Sequence, residues 1–362
     1  MRMEEVEQKY THSSVAQRVT QVPQIKDKFG RTFNYLRIAI NEKCNLRCIY
    51  CMPEKGISFE PENKLLTREE VIRIIQVAAK LGVNKIRFTG GEPLLRKDLV
   101  ELISGAVETP GIDSLNLTTN GVLLANSAEA LKDAGLTGVN VSIDTLEKEK
   151  YTEITRRDYI DKACKGLEAA KRAGIPSIKV NVVALRGFND HELSNFVHLT
   201  KDYPLTVRFI ELMPFDAQQI WKTGKFFRAE NIKAELIKLF PDIKTALGSA
   251  TEFTTYNVPG YKGKVAVIPS YSRDLCGACN RIRLTATGQI RNCLYSKNHF
   301  SVRDTIRSGG SDKDIADLFL KAMWQKPIDG WVAQETANNL SLIHISEPTR
   351  RTPISYAVFC LK

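Results

Sequence analysis

Six of the eight cysteines fall in two groups whose spacing suits metal chemistry. Cys44, Cys48 and Cys51 follow the pattern C-x3-C-x2-C, and Cys276 and Cys279 form a C-x2-C pair followed by Cys293. Three thiolates in so short a run can ligate three irons of a [4Fe–4S] cube. The alternative is three of the four ligands of a tetrahedral zinc, but zinc ligands usually come as cysteine pairs, which favours the cube for the first group. The second group admits both readings: a second cube with one iron open to substrate, or a zinc site with His299 as fourth ligand. Cys164 and Cys360 stand alone, and Cys164 reads as a buried helix residue. In a reducing compartment grouped cysteines bind metal more often than they pair.

A cube held by Cys44, Cys48 and Cys51 leaves its fourth iron without a protein ligand. That iron can chelate the amino and carboxylate groups of S-adenosylmethionine (SAM), whose reductive cleavage is the cofactor's own chemistry. Tyr50, between the last two cysteines, is placed to pack its ring on an adenine. Gly90-Gly91-Glu92-Pro93 offers backbone that a ligand can approach, and carbonyls and a carboxylate that can accept from an ammonium group; the plain alternative is a turn.

Charges also sit where strands should be apolar. Arg37, Arg87 and Arg208 each lie between apolar neighbours, as does Lys179. Alternate strand residues point to opposite faces, so these cations should point into the interior, away from a helix-covered face. An unpaired buried cation costs several kcal/mol. Four converging cations therefore call for an anion, and a triphosphate carries about four charges. Salt bridges to buried acids are the alternative, with Asp144 and Glu211 the main candidates. Arg281 and Arg283, spaced i, i+2, add two donors beside the second cysteine group.

The elements that must position these groups alternate. Strands are expected at 35–40, 85–89, 115–119, 139–143, 178–184 and 205–211. Helices are expected at 67–81, 97–107, 127–134, 159–173, 190–199 and 232–239. Thr67 and Glu70 should form a capping box, and Gly82 should end that helix. Six βα units imply a parallel sheet, either a (β/α)6 partial barrel or an open doubly wound sheet, with chemistry in the loops after the strands. Beyond about residue 251 the pattern turns hairpin-like, with strands at 281–286 and 289–294 flanking Thr287-Gly288. The expected organisation is a flexible leader over 1–33, a barrel over 34–245, a cluster-binding extension over 246–340 and an atypical tail over 341–362.

The chain has 362 residues, 43% hydrophobic and 26% charged, with a formal net charge of +11. Those values suit a globular protein with an anionic partner. No apolar run reaches the length of a membrane span, and the acidic first residues read as neither a secretory signal nor a transit peptide, so the cytoplasm is the expected location. A nucleic-acid partner would call for basic residues interleaved with aromatics on a surface. The telling cations here lie inside strands, so neither nucleic acid nor membrane is expected as a partner.

Together these residues are recognisable. The motifs CNLRCIYCMP at 44–53, TGGEPLLR at 89–96, LTTNG at 117–121, VNVSID at 139–144, RFIELM at 208–213 and CGACNRIRLTATGQIRNCL at 276–294 resemble the molybdenum cofactor biosynthesis protein A family of radical SAM enzymes, the GTP 3′,8-cyclases. The resemblance runs from about Gln24 to about Asn339. It implies an α/β fold, a partial (β/α)6 TIM-like barrel capped by an iron–sulfur extension, with two [4Fe–4S] clusters and SAM as cofactors. One cluster, on Cys44, Cys48 and Cys51, would cleave SAM; the other, on Cys276, Cys279 and Cys293, would bind the guanine of GTP. The adenosyl radical would take the ribose 3′ hydrogen, and the carbon radical would attack C8. Tyr50, Gly91, Ser142 and Met213 fall where the family contacts SAM. Arg37, Arg87, Thr118, Lys179, Arg281 and Arg283 fall where it contacts GTP, and Arg208 suits a further phosphate contact. Implied partners are GTP and a low-potential electron donor such as flavodoxin or ferredoxin; a homodimer is compatible with the resemblance. The family ends in a Gly-Gly tail. This chain ends Val358-Phe359-Cys360-Leu361-Lys362, and the stretch from Ser341 reads as foreign.

Overall fold

A computed structural model describes residues 23–53, 56–213, 225–246, 254–271, 276–296 and 300–335. Six strands in chain order, β1 (Tyr35–Ala39), β2 (Lys85–Thr89), β3 (Ser114–Thr119), β4 (Gly138–Ser142), β5 (Ser177–Ala184) and β6 (Thr206–Glu211), lie side by side and parallel. They are followed by β7 (Lys244–Ala246), β8 (Thr254–Asn257), β9 (Lys264–Ile268), β10 (Arg281–Leu284), β11 (Gln289–Arg291) and β12 (Phe300–Ser301). The whole forms one sheet in the order β12-β11-β10-β1-β2-β3-β4-β5-β6-β9-β8-β7.

Helices connect the strands: α1 (Arg68–Lys80), α2 (Leu99–Val107), α3 (Ala128–Asp133), α4 (Lys148–Thr155), α5 (Ile160–Arg172), α6 (Leu193–His198) and α7 (Ala229–Leu239). Three more follow the last strand: α8 (Val302–Arg307), α9 (Asp312–Trp324) and α10 (Gly330–Glu335). The Thr67–Glu70 capping box is formed, and Gly82 follows α1 at a φ of +85°, open to glycine at no steric cost.

The strand sequences explain the sheet. One face carries Leu36, Ile38, Ile86, Phe88, Leu115, Leu117, Val139, Val141, Val180, Val207 and Phe209, all at most 1% exposed and packed into the main core. The other carries Arg37, Arg87, Asn116, Thr118, Asn140, Ser142, Lys179, Asn181 and Arg208. Helices cover the apolar face, since burying it is the main driving term. The polar face cannot be closed by apolar packing, so it lines an interior.

That the sheet curls is shown by Asn140 on β4. With its amide oxygen turned toward the cations, it accepts from Arg208 (2.7 Å) on β6 and from Arg87 on β2. Side chains from strands four places apart in the sheet order meet over the strand midway between them.

The C-terminal extension joins the same sheet: β10 pairs in parallel with β1 and β9 in parallel with β6, so it lengthens the sheet at both edges. Its antiparallel partners β11 and β8 then lie outside these strands. The leader gives way earlier than expected. Ile25 and Phe33 are fully buried, Phe33 N–H donates to the Ile25 carbonyl (2.9 Å), and Lys26 and Thr32 form a bridge. Two anchors in a polar stretch were too few to register as a pattern. The tail expected over 341–362 and the first 22 residues lie outside the described residues.

The alternation yields a direct test. Leu117→Ala should cost about 2–5 kcal/mol in urea unfolding, the scale of a buried leucine truncation, while Thr118→Ala next to it should cost less than about 1 kcal/mol. Equal costs would mean that the two faces are not divided as described.

Candidate active site

The first cysteine group occupies the loop after β1, at the rim where the parallel strands end. It is gripped from behind by α4. The amides of Arg47 and Ile49 donate to the carbonyls of Thr155 (3.0 Å) and Ile154 (2.9 Å). Arg156, just past α4, reaches both sides of the loop, donating to the carbonyls of Arg47 (2.9 Å) and Met52 (3.1 Å). To do so it adopts a left-handed backbone, φ +56°, unusual for a residue with a side chain. Ile49 and Tyr50 pack against Ile154, Leu185, Phe188 and Leu212, and the Tyr50 hydroxyl donates to Asp144 (2.6 Å). Burial raises the Asp144 carboxyl to about 6, with the Tyr50 and Val183 hydrogen bonds opposing it.

Gly91 lies against the same loop. A Cβ there would overlap the carbonyl oxygens of Glu42 and Lys43, so the close approach that the glycine allows is used by the cysteine loop itself. Glu92 differs from the expectation that it accepts from a bound ammonium. It is fully buried, and its oxygens accept from Thr119 Oγ1 (2.7 Å) and from the amides of Leu94 (3.1 Å) and Asn120 (2.8 Å). Glu92 thus ties the β2 loop to the β3 loop. Burial lifts its carboxyl to about 6 against those bonds.

The Cys44 thiol is pushed up to about 11, chiefly by burial. Cys48 is raised well above its ordinary value by burial and then by Cys51, Asp144 and Cys44. Crowded, partly buried thiols that resist ionising alone suit ligands whose charge is met by bound metal. Among the described residues, the set of three metal-ligand atoms lying within 4.8 Å of one another is Glu147, His191 and Glu192. His299, the alternative zinc ligand, lies outside the described residues.

The second trio sits at the other end of the strands. Cys276 and Cys279 precede β10, whose Arg281 is level with Tyr35 at the start of β1, and Asn280 donates to Asn34 (2.8 Å). Cys293 returns to the same place after antiparallel β11. Leu294 and Met213 pack with Cys293 around Tyr295 and Ala333, so the chain after Cys293 reaches back to the end of β6. Two residues that sequence reasoning missed brace this site. Arg31, paired with Asp27 (2.6 Å), donates to the carbonyls of Cys276 (2.9 Å), Pro327 (2.7 Å) and Ile328 (2.7 Å). Lys326, 3% exposed, donates to the Asn292 carbonyl. Burial opposes ionisation of Cys279, but Lys326 and Arg281 outweigh it and bring the thiol down to about 6.

Between the two ends lies the cationic interior. Arg283, Arg37 and Arg87 stand level on β10, β1 and β2, and Arg37, Arg87 and Lys85 lie 5.0–5.6 Å from the centre of the Tyr35 ring. Burial, then Arg37 and Arg281, drive the Arg283 guanidinium down to about 9. Thr118, Asn140 and Lys179 are level on β3, β4 and β5; Ser142, Asn181 and Arg208 are level on β4, β5 and β6. Arg208 donates from Nε to Asn181 Oδ1 (2.8 Å). Of the acids near these cations, Asp144 accepts from Tyr50 and Val183, and Glu211 accepts from the amides of Ala229 (2.7 Å) and Tyr271 (2.9 Å).

Gly91→Ala should therefore displace the first cysteine loop. The expected cost is about 1–3 kcal/mol, the scale of overpacking, with iron lost from the Cys44 side while the Cys276 side still loads. Unchanged iron content and SAM binding would mean that the loop can step aside.

Comparison with known proteins agrees with this architecture. Residues 38–200 match the Radical SAM superfamily, and residues 205–330 match Molybdenum Cofactor Synthesis C. GTP 3′,8-cyclase of Chlorobaculum tepidum is 42% identical over 306 residues, covering 84% of this chain and 92% of that one. The corresponding enzyme of Desulforamulus reducens is 41% identical, covering 84% and 96%. The mitochondrial GTP 3′,8-cyclase of Arabidopsis thaliana is 39% identical, covering 90% and 86%. Among solved structures, Streptococcus suis SuiB bound to S-adenosylmethionine superposes with a TM-score of 0.58 at 14% identity, covering 84% of this chain and 68% of that one, a likeness of fold. With sequence and fold in agreement over most of its length, the chain belongs to the GTP 3′,8-cyclase family of the radical SAM superfamily.

Proposed function

We propose that this chain converts GTP to (8S)-3′,8-cyclo-7,8-dihydroguanosine 5′-triphosphate, the first step of molybdenum cofactor biosynthesis. The observation that carries the reading is the band of interior cations between two cysteine trios at opposite ends of one parallel sheet. Arg37, Arg87, Lys179, Arg281 and Arg283 are placed to neutralise the triphosphate, with Thr118 beside them. The first trio would hold the cube that binds SAM, with Gly91, Ser142, Met213 and Tyr50 around the cofactor. The second trio would hold a further cube against the guanine. Bound together, the first cube and SAM supply a carbon-centred radical able to take a hydrogen atom from the ribose. The protein's own work is placement. Asn140 and Asn181 orient Arg208 and Arg87, the α4–Arg156 grip fixes the first loop, and the cations hold the nucleotide so that its ribose faces the first end.

The electron would come from a low-potential donor such as flavodoxin or ferredoxin. No helix among the described residues is long and apolar enough to cross a membrane, and we place the activity in the cytoplasm.

Reduced, reconstituted protein incubated with SAM and GTP should yield the cyclised triphosphate, identified by mass; SAM cleavage without a GTP-derived product would overturn the assignment. Cys48→Ser should abolish reductive SAM cleavage, whereas Cys279→Ser should retain some cleavage and lose cyclisation. Arg87→Ala and Lys179→Ala should each weaken GTP binding by on the order of 1.5–3 kcal/mol, the scale of a charge-assisted hydrogen bond, with SAM binding nearly unchanged. Equal GTP affinity in anaerobic equilibrium dialysis would mean that these cations serve internal partners.

A further inference from the structure

Lysines are almost never buried unless they are paired. Lys326 is 3% exposed, yet no carboxylate among the described residues pairs with it. Its ammonium donates to the carbonyl of Asn292, the residue before Cys293, and lies 5.4 Å from the centre of the Phe33 ring. A carbonyl and a ring are dipolar partners that leave the full positive charge uncancelled. The neighbouring Arg31 makes the contrast. It touches the same site through the Cys276 carbonyl, but Asp27 neutralises it at 2.6 Å. Of the two cations bracing the second trio, Arg31 has a carboxylate partner and Lys326 has none among the described residues. Asn292 adjoins Cys293, so the ammonium is anchored one residue from a thiol of the second trio.

We propose that Lys326 is the fixed counter-charge of the second cluster, a positioning residue that compensates its thiolates from outside the ligand set and raises its reduction potential. The inference rests on the reading of Cys276, Cys279 and Cys293 as cluster ligands. A cation held in a low-dielectric site favours the more negative, reduced cluster. Removing it makes the added electron harder to place. Hydrogen bonds and charges beyond the ligands are a general means of tuning a metal site.

The test compares wild-type protein with Lys326→Gln and Lys326→Arg, each reconstituted anaerobically, with iron and sulfide counted and midpoints read by EPR-monitored titration. SAM perturbs the signal of the first cluster and so separates the two. Lys326→Gln should move the second midpoint to a more negative potential, Lys326→Arg should keep it near wild type, and the first midpoint should stay in place in both. If Lys326→Gln fails to load the second trio while Lys326→Arg loads it, the need for positive charge is upheld. Equal second midpoints in all three proteins would overturn the proposal, as would loss of loading in Lys326→Gln and Lys326→Arg alike, which would make the lysine's shape the requirement. Wild-type protein that binds only one cluster's worth of iron would instead overturn the two-cluster reading beneath it.

Discussion

Everything in this molecule is arranged around a band of like charges that cannot be left to itself. Arg283, Arg37 and Arg87 stand level on three adjacent strands, with Lys179 and Arg208 further round the same face. Apolar packing cannot cover such a face, and mutual repulsion grows as water is withdrawn. The sheet answers by putting its aliphatic residues against helices and rolling the cationic side inward, where Asn140 and Asn181 orient Arg208 and Asn140 also meets Arg87.

The parallel sheet then gives that interior two different ends. Loops after the strands gather at one rim, and the first cysteine group is among them. The second group reaches the opposite end because β10 joins β1 in parallel, with its cysteines before the strand instead of after it. One sheet direction separates the two cysteine loops by roughly the length of a strand; β1 has five residues, about 16 Å at about 3.3 Å per residue.

Much of this was legible in the sequence, because alternation is a local signal. Leu36-Arg37-Ile38 and Ile86-Arg87-Phe88 state both the strand and the odd charge within it, and the cysteine spacings stand out against any background. Residues that act at long range were not legible. Arg31 lies in a polar stretch, and the carbonyls it braces are more than 240 positions away. Lys326 looks like any lysine after a helix. Glu92 suggested a ligand because its loop is glycine-rich, whereas it is a buried strut between two loops. The hairpin of β10 and β11 was readable, but not the parallel partner on the far side of β10, since strand neighbours are chosen by the whole fold.

The contacts of Arg31 carry a consequence for the order in which the molecule can be made. The first cysteine loop spans eight residues near the start of the chain, and α4 and Arg156, which grip it, are finished by position 156. The Arg31 guanidinium, by contrast, is synthesised early and must wait for Cys276, Pro327 and Ile328. Throughout translation of the barrel, the surface that will brace the second metal loop has no counterpart. A ribosome-bound chain can therefore present the first cysteine loop with its brace nearly complete while the brace of the second awaits release of the C-terminal segment.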